Sequence, residues 1–226
     1  ASVEGLARKT KNPRFAYDSY RRFIEGFGKI VLGIEEADKK FRAIMDQIKK
    51  EEGMEVLPKT DGWIQESVLR EKLIPRYKDL VLRETGKELP QDPMEQLSLA
   101  ILAVFKSWNS QRARDYREKN RIPDDLGTAC NIQAMVFGNT GEESGTGVYF
   151  TRNNSTGENE PYGDYLPNAQ GEDVVSGKYN NLKVKDLAAR DPKNYEKLIG
   201  IGRILEDKYR DMQDIEFTIY DGELYI

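Results

Sequence analysis

Apolar residues recur every three or four positions through the first half of this chain and every second position in its last segment, so two kinds of secondary structure are written into it in order. Phe15, Tyr20, Phe23, Ile24, Phe27 and Val31 make one helical stripe, and Phe41, Ile44, Met45 and Ile48 make a second. Gly53 and Pro58-Lys-Thr-Asp-Gly62 interrupt the pattern. Val68, Leu69, Leu73, Tyr77, Leu80 and Val81 then predict another helix, bent at Pro75. Asp92-Pro-Met-Glu95 supplies an N-cap, a proline at the first helical position and an acid at the third, which together open a further helix. Its predicted buried stripe is Met94, Leu97, Ile101, Val104 and Trp108.

The texture changes after Arg121-Ile-Pro-Asp-Asp125. Ile132, Ala134 and Val136 alternate with Gln133, Met135 and Phe137, which predicts a strand, and Val148-Tyr-Phe-Thr151 predicts a second one across a glycine-rich connection. Asn153-Asn-Ser-Thr-Gly157 and Asn168-Ala-Gln-Gly171 read as turns. Leu198, Ile201, Leu205 and Met212 mark a late helix before the final strand. The expected fold class is α+β, a helical lobe over residues 1–124 followed by an α+β part over 125–226.

Composition removes several chemistries. The chain has no histidine and one cysteine, Cys130, which excludes a zinc site of the usual kind, a Ser-His-Asp arrangement and an internal disulfide. A bound metal would be hard and oxygen-ligated, which favours Mg²⁺. The net charge of -4 arises from 35 basic and 39 acidic residues without a long basic run, and this disfavours nucleic acid as a partner. No apolar stretch is long enough to cross a bilayer, and the first residues are not a signal peptide, so a reducing cytoplasmic setting fits. Area scaling for 25.9 kDa gives roughly 10,000 Å² of exposed surface, enough burial for one domain or two small ones without a covalent staple.

Two segments carry candidate chemistry. In the last strand a period of two puts Ile215, Phe217 and Ile219 on one face and Asp214, Glu216 and Thr218 on the other. Carboxylates two residues apart on a strand lie roughly 6.5–7 Å apart and can face one Mg²⁺-nucleotide complex, or can equally be a polar solvent edge. Asp221-Gly222 is a hairpin turn that returns the chain through Glu223-Leu-Tyr-Ile226 and sets the cross-strand neighbour of Glu216 at position 227 or 228. The second segment, Gly138-Asn-Thr-Gly-Glu-Glu-Ser-Gly-Thr-Gly147, has the glycines and hydroxyls that let backbone amides approach phosphates, although it lacks a Walker A ending and reads equally as a flexible hairpin. Glu142 and Glu143 would oppose phosphate and should face outward or toward a metal. Gln133, Met135 and Val136 could line a purine, and Glu172 and Asp173 a ribose hydroxyl or a cation; each also has a plain structural reading.

Taken together, Asn12-Pro-Arg-Phe-Ala-Tyr-Asp-Ser-Tyr-Arg-Arg-Phe23, Pro90-Gln-Asp-Pro93, Met135-Val-Phe-Gly-Asn139, Ser144-Gly-Thr-Gly147, Asn168-Ala-Gln-Gly-Glu-Asp-Val-Val175 and Asp211-Met-Gln-Asp-Ile-Glu-Phe-Thr-Ile219 resemble the pyruvate, phosphate dikinase family over essentially the whole chain. The resemblance implies a partial ATP-grasp nucleotide-binding subdomain over 125–226. ATP would be a substrate, and phosphoryl transfer would run to inorganic phosphate and to a histidine on a separate domain, with pyruvate bound by a further domain. The parent enzyme would be a homodimer, cytoplasmic or, in a plant, plastidic. It further implies Asp214 and Glu216 as catalytic, metal-facing acids and Gln133, Met135 and Val136 on the adenine side. Ser144, Gly145, Thr146 and Gly147 would form a mobile loop over phosphates, with Glu172 and Asp173 near the nucleotide. The family's basic groups before this region and its later Leu-Gln-Thr-Arg segment have no counterpart here, so the isolated chain is expected to be inactive. Cys130 stands at a common valine and is expected to be a small core residue. Phosphoenolpyruvate synthase and a non-catalytic nucleotide-binding or regulatory module are the alternative readings.

Overall fold

The computed structural model describes residues 2–54, 64–177 and 179–226. The break predicted at Pro58-Gly62 lies outside them. The chain divides into two compact units, Ala1–Gln133 and Ala134–Ile226, and its fold class is α+β.

The first unit is helical: α1 (Val3–Thr10), α2 (Pro13–Gly26), α3 (Ala37–Glu51), α4 (Glu66–Val68), α5 (Ile74–Thr85), α6 (Pro93–Ser107) and α7 (Gln111–Asn120). The side chain of Asn12 accepts the Phe15 amide at 3.1 Å and starts α2 with Pro13 in its first turn. A π-turn, Phe27–Val31, extends α2, and another, Leu69–Leu73, joins α4 to α5. Pro75 lacks an amide, and its ring crowds the preceding turn. The wider turn relieves this, with the Ile74 N–H reaching the Leu69 carbonyl five residues back. The predicted bend is therefore a local widening just before the proline.

The predicted stripes of α2, α3 and α5 meet in one core. Ile24, Phe41, Ile48, Leu69, Leu73, Tyr77 and Val81 are among its buried members, and the Phe41 and Tyr77 rings pack with centroids 4.6 Å apart. Within the same unit lies a buried charged pair. Asp18 and Arg21 are both buried, with Asp18 Oδ1 accepting from Arg21 Nε at 2.8 Å and Nη2 at 2.7 Å, while Arg22 Nε reaches Asp18 Oδ2 at 3.4 Å.

The stripe predicted for α6 is not buried. Asp92 does cap the helix, accepting the Met94 amide at 3.2 Å, but only Gln96 is buried, while Met94 is 64% and Val104 38% exposed. Among the described residues of this unit, Leu99 is the α6 side chain packed against the core. Periodicity identifies an apolar helix but not which side is covered.

The second unit is a five-stranded antiparallel sheet in the order β3-β2-β1-β4-β5, from β1 (Gly145–Phe150), β2 (Tyr162–Pro167), β3 (Leu182–Lys183), β4 (Asp214–Tyr220) and β5 (Glu223–Tyr225). Among the described residues α8 (Gly171–Val175), α9 (Leu187–Arg190) and α10 (Pro192–Tyr209) accompany it. Leu198 and Ile199 of α10 pack with Tyr149, Tyr165, Ile215, Phe217 and Ile219 on one face of the sheet. Met212, predicted within the late helix, lies beyond its end, because Arg210 turns into the left-handed region at φ 59°. The strand predicted over 132–137 is absent: residues 127–137 form neither helix nor strand, and no described strand pairs with them. Cys130, expected in a core, is half-exposed in that segment.

Burial raises the affinity of Asp18 for a proton, but the guanidinium groups of Arg21 and Arg22 outweigh it and hold the carboxyl below its usual 3.8. Because the folded value is depressed, the contribution is complete above the unfolded value and disappears as pH falls through the folded one. Asp18→Ala should cost about 3 kcal/mol or more near neutral pH by leaving Arg21 buried without its closest partner. Urea denaturation should show the gap between the two proteins narrowing below about pH 4.

Candidate nucleotide site

The candidate site is built on β4, where β-branched and aromatic residues alternate with polar ones. Ile215, Phe217 and Ile219 are buried, whereas Asp214 and Glu216 are exposed and Thr218 is half-buried, as the period of two requires. The hairpin has two loop residues, with Tyr220 paired to Glu223 and positive φ at both Asp221 (51°) and Gly222 (73°).

Register defines the face turned away from α10, part of which α8 covers, with Val174 packed on Leu166 and Val148 against that cluster. Asp214 pairs with Phe150, which pairs with Tyr162; Glu216 pairs with Val148, which pairs with Asp164; Thr218 pairs with Thr146, which pairs with Leu166. The acids of β4 therefore flank an apolar strip formed by Val148 and Phe150, with the Phe150 and Tyr162 rings 6.4 Å apart. On the far side Lys183 Nζ binds Asp164 Oδ1 at 2.8 Å. Among the described residues neither the Asp214 nor the Glu216 carboxylate takes a hydrogen bond or ion pair, and no cluster of three metal-ligating groups is present. Two carboxylates fit Mg²⁺, which takes one or two together with phosphate oxygens and waters.

The glycine-rich run differs from the loop predicted for it. Gly145, Thr146 and Gly147 are strand residues in β1, laddered to β2 on one side and β4 on the other. Gly147 lies between Tyr165 of β2 and Phe217 of β4, and the two rings stack over it with centroids 6.1 Å apart and planes 5° apart. A Cβ at Gly147 would lie 2.6 Å from the Phe217 ring and from the Asp164 carbonyl oxygen, and one at Gly145 would collide with the Tyr165 ring. These glycines are explained by aromatic packing across the central strand. Burial in that stack also raises the Tyr165 phenol pKa.

What remains of the loop, residues 138–144, is tied to itself and to residues 168–170. The Thr140 and Ser144 hydroxyls share a 2.5 Å hydrogen bond, the Asn168 amide donates to the Ser144 carbonyl at 2.7 Å, and Gln170 Nε2 donates to Asn139 Oδ1 at 3.2 Å. The Thr146 hydroxyl donates to the Phe217 carbonyl at 3.0 Å. The hydroxyls that the sequence offers to phosphate are thus engaged inside the fold. Glu142 faces outward and pairs with Arg190 at 3.0 Å.

Asp173 is buried and accepts the Gln170 amide at 3.0 Å, capping α8, while Glu172 is exposed. Gln133 closes the first unit and is exposed. Met135 and Val136 follow Ala134 at the start of the second, with Met135 61% exposed. Sequence reasoning missed Asn139 and Gln170 as a buried polar pair, and the Asp164–Lys183 pair on the face turned away from α10. A two-residue strand such as β3 carries no periodic signal.

Comparison with known proteins places the chain among nucleotide-binding domains. Residues 25–186 match the family described as pyruvate phosphate dikinase, AMP/ATP-binding domain. Pyruvate, phosphate dikinase of Clostridium symbiosum is 48% identical over 225 residues, covering 99% of this chain and 25% of that protein. Pyruvate, phosphate dikinase 1, chloroplastic, of Arabidopsis thaliana is 47% identical over 99% of this chain and 22% of its own length. The Giardia intestinalis pyruvate, phosphate dikinase is 46% identical over the whole chain and 25% of its length. The chain belongs to the pyruvate, phosphate dikinase family and spans about a quarter of the length of these relatives. Among the described residues no helix is long and apolar enough to cross a membrane.

Gly147→Ala should destabilise the second unit by about 1–3 kcal/mol through overpacking. Gly141→Ala, where a Cβ meets nothing within 4 Å, should stay within about 0.5 kcal/mol of the parent. Urea denaturation of the two variants checks the difference.

Proposed function

We propose that the full-length protein is a pyruvate, phosphate dikinase and that the face of the second unit's sheet turned away from α10 binds ATP with Mg²⁺. The single observation that carries this reading is the pair Asp214 and Glu216, exposed two residues apart on β4 where it ladders to the central strand β1, in a chain of this family. Both carboxylates would hold the metal, which, when bound, neutralises charge between the phosphate groups and favours attack at phosphorus. β4 orients both acids in advance, because the packing of Ile215, Phe217 and Ile219 fixes which way they point. Val148 lies between Glu216 and Asp164 and keeps part of the floor apolar, which strengthens the electrostatics above it.

Met135 and Val136 are proposed on the adenine side, Glu172 toward a ribose hydroxyl, and Asp173 as a positioning residue that holds the start of α8. Ser144, Gly145, Thr146 and Gly147 are proposed to shape the phosphate side through the fold rather than as a mobile cover. This unit is proposed as part of an ATP-grasp fold. The acceptors, inorganic phosphate and a histidine on a separate domain, belong to the remainder of the protein, as do the cationic groups that phosphoryl transfer requires.

In the full-length protein, Asp214→Asn and Glu216→Gln should each weaken Mg²⁺-ATP binding by about tenfold or more, or 1.4 kcal/mol, with unchanged thermal stability. Calorimetric titration gives the affinity, and AMP release gives the activity. AMP formation that needs both pyruvate and inorganic phosphate is the expected result. Turnover without phosphate would assign the protein to the synthase reaction instead, and wild-type nucleotide affinity in both variants would remove Asp214 and Glu216 from the site.

A further inference from the structure

α6 is apolar almost all round. From Leu97 to Phe105 the only polar residue is Ser98, and the neighbouring Gln96 turns inward to donate to the Pro90 carbonyl at 2.6 Å. Within its unit the helix rests on the core through Leu99, which leaves Met94 at 64%, Leu102 at 52% and Phe105 at 47% exposed. A helix of this composition is ordinarily enclosed, since surface helices keep a wide polar face. Its neighbour in the chain is uncovered in the same way. Trp108 Nε1 donates to the Asp124 carbonyl at 3.3 Å and Arg117 Nε binds Asp124 Oδ1 at 2.6 Å, which ties residue 124 to the end of α6. From there residues 127–133 run without a ladder partner among the described residues, with Leu126 69% and Ile132 67% exposed.

An apolar helix face beside a segment that has no strand partner among the described residues is half of a layered core. The missing half has stated chemistry: apolar side chains toward α6 and a strand edge toward residues 127–133. The relatives supply its source, because this chain spans only 22–25% of their length. We propose that the outward face of α6 is an internal docking face, covered in the full-length protein by a β-layer from the polypeptide outside these 226 residues. A second copy of the chain is the rival occupant. The face is apolar across its whole width, however, with no charged residue between Leu97 and Phe105 to set the register of a self-complementary contact.

The test uses the full-length protein without nucleotide, so its outcome is separate from that of the ATP site. Leu102→Cys and Phe105→Cys are compared with Glu118→Cys, an exposed position on α7, by maleimide labelling read peptide by peptide. Residues 102 and 105 should react at least about 100-fold more slowly than residue 118. Rates within about threefold of one another overturn the proposal. Protection that vanishes on dilution from about 10 µM to 10 nM overturns it in favour of a second copy. Oxidative footprinting of the native Met94 and Phe105 side chains needs no substitution and should show the same protection; ready oxidation of both would equally overturn the proposal.

Discussion

The stacking of Tyr165 on Phe217 across Gly147 is the contact on which the candidate site depends. A side chain at residue 147 would separate the rings and push β4 away from the central strand. With Phe217 locked inward, Ile215 and Ile219 must also face α10, and Asp214 and Glu216 have no choice but to face out. A register slip of one residue would bury both carboxylates and expose three large apolar groups. The position of the acids therefore follows from a packing requirement on the opposite face of the sheet.

The helical unit is held by a different balance. Its core is continuous from α2 through α5, and the Asp18–Arg21 pair is buried in the same unit at a desolvation cost that only close, multiple hydrogen bonds can offset. The two π-turns adjust the helices locally, one where Pro75 removes an amide and one where Gly28 lets Ile34 and the Phe41 ring approach closely. α6 contributes little to this core and presents most of its apolar surface outward.

Much of the secondary structure was legible because it rests on local chemistry. The stripes of α2, α3 and α5, the Asp92 cap, the alternation in β4 and the Asp221-Gly222 turn all act within a few residues. The errors share a cause. The stripe assigned to α6 and the strand assigned to 132–137 needed a partner that a periodic pattern cannot supply. The glycine-rich run was ambiguous for a related reason, because a glycine that admits an anion and a glycine that admits a neighbouring ring look the same in sequence. Asp173 likewise reads as a ligand in sequence and as a helix cap in the fold.

The amino-acid sequence by itself determined the α+β class, the absence of histidine and cysteine-cluster chemistry, the alternation that separates Asp214 and Glu216 from the core, and the family. These follow from composition, short-range periodicity and the combination of motifs along the chain. Tertiary structure alone decided that Gly145 and Gly147 belong to a central strand, that the Ser144 and Thr146 hydroxyls are spent inside the fold, and that most of α6 lies outside the core of its own unit. Each of these is settled by register and packing rather than by the pattern of side chains along the chain.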